Sequence, residues 1–217
     1  MSWKIKTALC AARWLGTQEG SREHREILEV YNGIRPLPRG YAVKQTDAWC
    51  AAFVSAAAVM AGVGERYPLE CSCGRMIEGA RAMGIWVEDD DHVPGIGDWV
   101  LYNWQAGGNG DDDGAPDHVG IVIGVESGVI LAVEGNYDNA VKLRRFPVNW
   151  EKIRGFICPK EEDEMRYRTL EQIPDYARAT IGKLVEDGSL RGISGDDLGL
   201  TEELIRTLVI LDRRGIL

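Results

Sequence analysis

The sequence contains no apolar run close to the roughly 20 residues that cross a bilayer. It has no block of basic residues, no Cys-x2-Cys pair and only three histidines. The missing apolar run excludes a membrane-spanning helix. The missing basic block, with a formal charge of −9, argues against nucleic acid as a partner. Five cysteines are an odd number, so they cannot all pair within one chain. The single close spacing, Cys71-Ser72-Cys73, is too tight for a zinc site. No metal or cofactor is expected on that basis, and the cysteines are expected to be reduced. At 217 residues and 45% hydrophobic, the chain has length for one sizeable domain and a small second one. Its first residues, MSWKIKTALCAARWLGTQEG, carry lysines before a short apolar stretch. Arg13 and Trp14 interrupt that stretch and no small-residue cleavage site follows. We read it as an amphipathic helix and expect a chain made in the cytoplasm without an export signal.

Residues 2–15 and 21–32 read as amphipathic helices, and NGIRPLPRGY as a loop. TDAWCAAFVSAAAVMAG follows as a helix too apolar for a surface position, with Thr46 or Asp47 as expected N-cap and Gly62 as stop. A further helix is expected over Ser72 to Met83. Five short segments then have strand character: 97–104, 118–126, 129–136, 141–146 and 153–159. Helices followed by closely spaced strands indicate an α+β domain with an antiparallel sheet. The charged stretch from Lys160 breaks this texture. We therefore expect a domain over 1–159, a linker over 160–166 and an all-α module over 167–217. The module's expected apolar stripes are Ile173, Ala177, Ile181, Leu184 and Val185, then Leu204, Leu208 and Leu211.

Chemistry concentrates at four positions. His24 lies among charged residues of a helix and His92 in an acidic turn. His118 opens a strand directly after a Gly/Asp-rich loop, where a stiff sheet can aim it. With the hairpin turning near Glu126, His118 falls opposite Glu134, and Asn136 shares their face. Glu134 is a carboxylate at the end of an apolar strand. A carboxylate on one imidazole nitrogen sets the tautomer of the other. Cys50 sits where a helix begins, and free N–H groups, the helix dipole and a nearby imidazolium all favour a thiolate there. An isolated helix cysteine usually only packs. A helix-start Cys, a strand-start His and an acid on the next strand together match a nucleophile, its base and the group that orients the base.

TDAWCAAFVS, GDWVLYNW, PDHVGIVIG and VEGN, in this order and spacing, resemble the CHAP family of cysteine amidases and peptidases in the papain-like NlpC/P60 superfamily. The resemblance covers about residues 3–159. It implies a papain-like CHAP domain, with N-terminal helices packed on an antiparallel β-sheet. It also implies cleavage of an amide bond in bacterial peptidoglycan, as by bacteriophage endolysins. Cys50 is then nucleophile, His118 general base, Glu134 its orienting acid, and Asn136 a fourth polar member. Trp49 stands where the family usually has a polar residue or glycine. Amidase (N-acetylmuramoyl-L-alanine) and endopeptidase both cut amides, and the motifs fit either. An inactive wall-binding protein on the same fold is the reading from another class. An endolysin without an export signal would act on the wall after holin-mediated release.

Trp49, Trp104 and Asp117 are the candidate substrate-binding residues. Asn109, Asp111, Asp113 and Gly114 match the first positions of a calcium loop, but Gly120 stands where the bidentate Glu belongs. The C-terminal piece loosely resembles the helical module of surface-layer-homology type, which implies wall-polymer binding or self-association. The codons of Lys160-Glu161-Glu162 can spell a ribosome-binding sequence upstream of Met165. A free C-terminal fragment starting there is therefore a further expectation.

Overall fold

The computed structural model describes residues 2–89, 91–105, 114–161, 166–192 and 197–217. The chain divides into two compact units, Met1–Lys160 and Glu161–Leu217. In the first, four helices precede a six-stranded sheet. These are α1 (Trp3–Ala12), α2 (Arg22–Asn32), α3 (Cys50–Met60) and α4 (Cys73–Ala82). The strands are β1 (Trp86–Val87), β2 (Trp99–Tyr102), β3 (His118–Glu126), β4 (Val129–Tyr137), β5 (Ala140–Pro147) and β6 (Ile153–Ile157). Their spatial order is β1-β6-β2-β3-β4-β5, and every pairing is antiparallel. The unit is α+β with an antiparallel sheet, as expected. The sequence reading missed β1, whose two residues are too few to show a period.

Helix α3 is the centre of the unit. Every residue from Cys50 to Ala58 is buried, as befits a helix apolar on all sides. It touches α1 and α2 as well as β3 and β4. Its alanines permit that crowding, and so does the strand it meets: a Cβ on Gly135 would lie 2.5 Å from Phe53 Cγ and 2.8 Å from Trp49 Cζ3. The expected cap is not there. Asp47 instead accepts from the Lys44 amide and the Tyr41 hydroxyl. Trp49 holds the N-cap position and no side chain caps the helix. The first amides of α3 are thus left for another acceptor.

Apolar residues line both faces of the sheet. Trp99, Leu101, Val119, Ile121 and Val133 join the core shared with the helices. Val100, Tyr102, Val122, Ala132, Phe146 and Phe156 build a second core. The alternation of a strand sends neighbours to opposite faces, which explains why all four residues of β2 are buried.

The register of β3 on β4 differs from the expected one. Glu126 pairs with Val129, but a bulge at Val122/Gly124 shifts the ladder so that Ile121 pairs with Val133. Continued by the same alternation, Glu134 stands beside Gly120 rather than opposite His118. The displacement is two residues, so the facing is preserved and His118 and Glu134 become diagonal neighbours.

The C-terminal unit is not all-α. Strand β7 (Arg166–Tyr167) pairs with β8 (Leu200–Thr201), and α5 (Asp175–Glu186) and α6 (Glu202–Arg213) complete it. Strands of two residues carry no readable alternation. The expected stripe is buried at Ala177, Ile181 and Leu184 of α5 and at Ile173 just before it. On α6 the buried face is Ile205 and Val209, while Leu204 is 43% exposed. β8 runs straight into α6, and the buried Leu200 sets the helix's rotation. Asp212 ties the two helices together, accepting from Thr180 at 2.7 Å and pairing with Lys183 at 3.2 Å.

Candidate active site

Cys50 is the first residue of α3, buried among the helix-facing core. Its thiol is held well below the ordinary range. The Cys73 thiol beside it lowers it most, burial opposes, and the His118 hydrogen bond and charge and the Ala51 amide lower it further. The uncapped helix start therefore has an acceptor after all: the sulfur itself, in the place of a capping oxygen.

His118 opens β3 and pairs with Tyr102, the last residue of β2. Its Nε2 lies 3.0 Å from Glu134 Oε2. That leaves Nδ1 as the ring nitrogen available to Cys50, which contributes to the raised pKa of the imidazole. Burial alone would lower its pKa, but hydrogen bonds to Cys50 and Glu134 and their negative charges push it up to about 9. A lowered thiol beside a raised imidazole favours the thiolate–imidazolium form of the pair.

Glu134 is fully buried, and three groups satisfy it. His118 holds Oε2, the Tyr102 hydroxyl donates to Oε1 at 2.7 Å, and Arg144 Nη1 lies 3.9 Å from Oε2. Gly120 makes the diagonal reach feasible, because a Cβ there would sit 2.6 Å from Glu134 Cγ. Tyr102 and Arg144 were not read from the sequence as partners of Glu134. Their signal was parity: Tyr102 shares its face with Val100, and Arg144 with the buried Phe146.

The other expected site residues scatter. Asn136 lies in a β4–β5 irregularity at φ +60°, and its side chain has no hydrogen-bond partner among the described residues. Trp49 is fully buried, donates to Glu19 at 3.2 Å and packs at a tilt against the His24 ring, 4.6 Å away. It is a core residue and not a wall of a substrate groove. Trp104 stacks on Tyr102 at 5.0 Å and sits 5.6 Å from the His118 ring, with Arg144 over it at 5.5 Å. Asp117 is exposed and accepts from the Trp104 amide and from Gln105 Nε2 at 2.9 and 3.0 Å. It anchors the start of the loop beside His118. The calcium positions Asn109, Asp111 and Asp113, and Met165, lie outside the described residues.

Of the remaining histidines, His24 differs from expectation. It is buried, with Nδ1 accepting from the Gly20 amide at 3.0 Å and burial lowering its pKa. The tight turn from Gln18 to Ser21 folds the charged-looking segment inward. His92, Asp98 and Cys158 bring three ligand-type atoms within 4.8 Å of one another. Both Asp98 oxygens are taken, however, by Lys4 Nζ and the Gly95 amide, each at 2.7 Å. Burial and the neighbouring Asp98 also push the Cys158 thiol up. The lysine already supplies the cation there.

A cleft of about 330 Å³ lies beside the approach to α3, lined by Arg39, Tyr41, Val43, Asp47, Ala48 and Cys71. Comparison with family models, curated proteins and solved structures finds no match. The reading of the site therefore stands on its geometry and on the motifs.

Proposed function

We propose that the chain is a papain-like cysteine hydrolase of CHAP type that cleaves an amide bond in peptidoglycan, in the manner of an endolysin, with N-acetylmuramoyl-L-alanine amidase as the assigned activity. The observation that carries this reading is the convergence of Cys50, at an uncapped helix start, with His118 and Glu134, which lie 3.0 Å apart on two neighbouring strands. The Cys50 thiolate attacks the amide carbonyl. The amides of the first turn of α3, which no side chain caps, stabilise the developing oxyanion. The His118 imidazolium, held by Glu134, gives its proton to the leaving amine, then takes one from the water that hydrolyses the thioester. Glu134 keeps Nε2 occupied, so that Nδ1 serves the reaction. No step calls on a metal.

Digestion of purified peptidoglycan with mass analysis of the fragments tests the proposal. Free lactyl carboxyls on muramic acid, with free L-alanine termini, are expected. A cut inside the stem or cross-bridge would reassign the same residues to an endopeptidase. Intact walls after digestion would replace catalysis with wall binding, and Cys50→Ala must abolish any cleavage seen. For the C-terminal unit we propose contact with wall polymer through its groove of about 690 Å³, lined by Leu170, Arg178, Gly182, Lys183 and Glu186. A Cβ at Gly182 meets nothing within 4 Å, so Gly182→Trp can fill the groove. Co-sedimentation of the Cys50→Ala chain with walls should then fall. We also propose the free fragment from Met165. Expression from the native codons should give a short band that Met165→Leu removes.

A further inference from the structure

Cys73 is the first residue of α4, as Cys50 is of α3, and their sulfurs lie 3.9 Å apart. Both thiols are buried. We propose that Cys50 and Cys73 are a disulfide-forming pair, in which Cys73 resolves an oxidised Cys50 and closes the site reversibly.

Nothing in the spacing of Cys71 and Cys73 pointed to this; the fold brings two helix starts together. A disulfide bond is about 2.05 Å long, so closure asks each sulfur to move by about 1 Å. The first turn of α4 has room to adjust, since a Cβ added to Gly74 would meet nothing within 4 Å. The pair is also asymmetric in the useful sense. Cys73 is held well above the ordinary thiol range by its hydrogen bond to Cys50, by burial and by the charge of Cys50. Cys50, lowered by the same contact, is the thiolate. One sulfur is thus armed toward an oxidant while the other keeps its proton in reserve.

The chemistry balances with hydrogen peroxide as the oxidant. The Cys50 thiolate attacks one peroxide oxygen, the O–O bond breaks, and hydroxide leaves and takes up a proton as water. Cys50 is now a neutral sulfenic acid. The negative charge that held the proton on Cys73 is gone. Cys73 loses its proton and attacks the Cys50 sulfur. The S–O bond breaks, the hydroxyl leaves with that proton as a second water, and the S–S bond forms. Two thiols are oxidised by two electrons and one peroxide is reduced to two waters. A dithiol such as dithiothreitol reverses the bond by exchange.

The functional consequence rests on Cys50 being the nucleophile; the chemistry of the pair does not. The test treats the full-length wild-type chain with peroxide, maps peptides by mass without reduction, and follows wall lysis in parallel. A Cys50–Cys73 linked peptide, lighter by two hydrogens, is expected, with lysis lost and then restored by dithiothreitol. In Cys73→Ser, the same dose should carry Cys50 to sulfinic acid, and dithiothreitol should restore nothing. Sulfinic acid on Cys50 in the wild type, with Cys73 unlinked, overturns the proposal; so does a Cys50 link to any other cysteine. A chain that forms the link yet never lyses walls keeps the pair and rejects the hydrolase reading. A chain that lyses walls without forming it does the reverse.

Discussion

Replacing Gly120 by alanine adds one methyl group at the point where the site has least room. That Cβ would lie 2.6 Å from Glu134 Cγ, 3.5 Å from its Cδ and 3.4 Å from the Val133 carbonyl oxygen. Ordinary contact begins near 3.4 Å, so Cγ must retreat by about 0.8 Å. Glu134 has nowhere flexible to go, because both carboxylate oxygens are engaged at 2.7 and 3.0 Å. If the carboxylate takes up the whole shift, the His118 bond lengthens to about 3.8 Å and ceases to be one. Misplacement on the order of 1 Å costs roughly 100-fold in rate, and overpacking a buried site costs about 1–3 kcal/mol. Gly120→Ala should therefore lower the initial rate of wall clearing about 30- to 100-fold and reduce the melting temperature. Gly124→Ala, on the same strand with nothing within 4 Å of its added Cβ, should leave both nearly unchanged. In a Glu134→Ala background the same Gly120→Ala change should cost little more, since its collision partner is gone. A Gly120→Ala chain that clears walls within twofold of wild type would refute the account of how Glu134 reaches His118.

The rate of wall clearing should fall on the alkaline side around pH 9, where His118 loses its proton, and the acid limb should lie far below the ordinary thiol range. His118's folded pKa of about 9 exceeds its ordinary 6.5. Its contribution to stability is thus full below about pH 6.5 and lost as pH rises through 9, which melting curves across that range will read. Tyr102→Phe leaves Glu134 one donor short inside the core and should cost about 1–3 kcal/mol in denaturant unfolding. It should also move the alkaline limb upward, because a less solvated carboxylate holds the imidazolium harder. In the C-terminal unit, Ile205→Ala should destabilise by about 2–5 kcal/mol, whereas Leu204→Ala on the exposed face should change stability by less than about 0.5 kcal/mol.

Periodicity carried most of the N-terminal fold. The strands 118–126 and 129–136 stand within one residue of β3 and β4, because alternating apolar residues and the Ser127-Gly128 turn are local signals. The facing of His118 and Glu134 was legible for the same reason, although their register was not. A bulge leaves no mark in composition, and only the even net displacement of the register, two residues, kept the pair on one face. Asn136 lies at a second irregularity, between β4 and β5, which likewise leaves no mark in the sequence. Trp49 and His24 were misread, and the approach of Cys73 to Cys50 was not foreseen, because their surroundings are tertiary. A charged-looking helix can hide a histidine when a turn folds it inward, and two cysteines distant in sequence meet only when α3 and α4 pack. In the C-terminal unit, the two-residue strands that orient α6 were beyond any periodic signal.

The carboxylate that completes the site is part of the sheet's own interior. Glu134 is shut in on β4 and reaches His118 across the space left by Gly120, and both strands follow α3 by a long stretch of chain. A nascent chain that has made α3 but not yet β4 carries Cys50 without the Glu134-held imidazole beside it. Under the proposed function, the molecule is then its own zymogen during synthesis: hydrolytic power would arrive only with closure of the sheet, and local fraying of β4 would release His118 before the rest of the fold is lost.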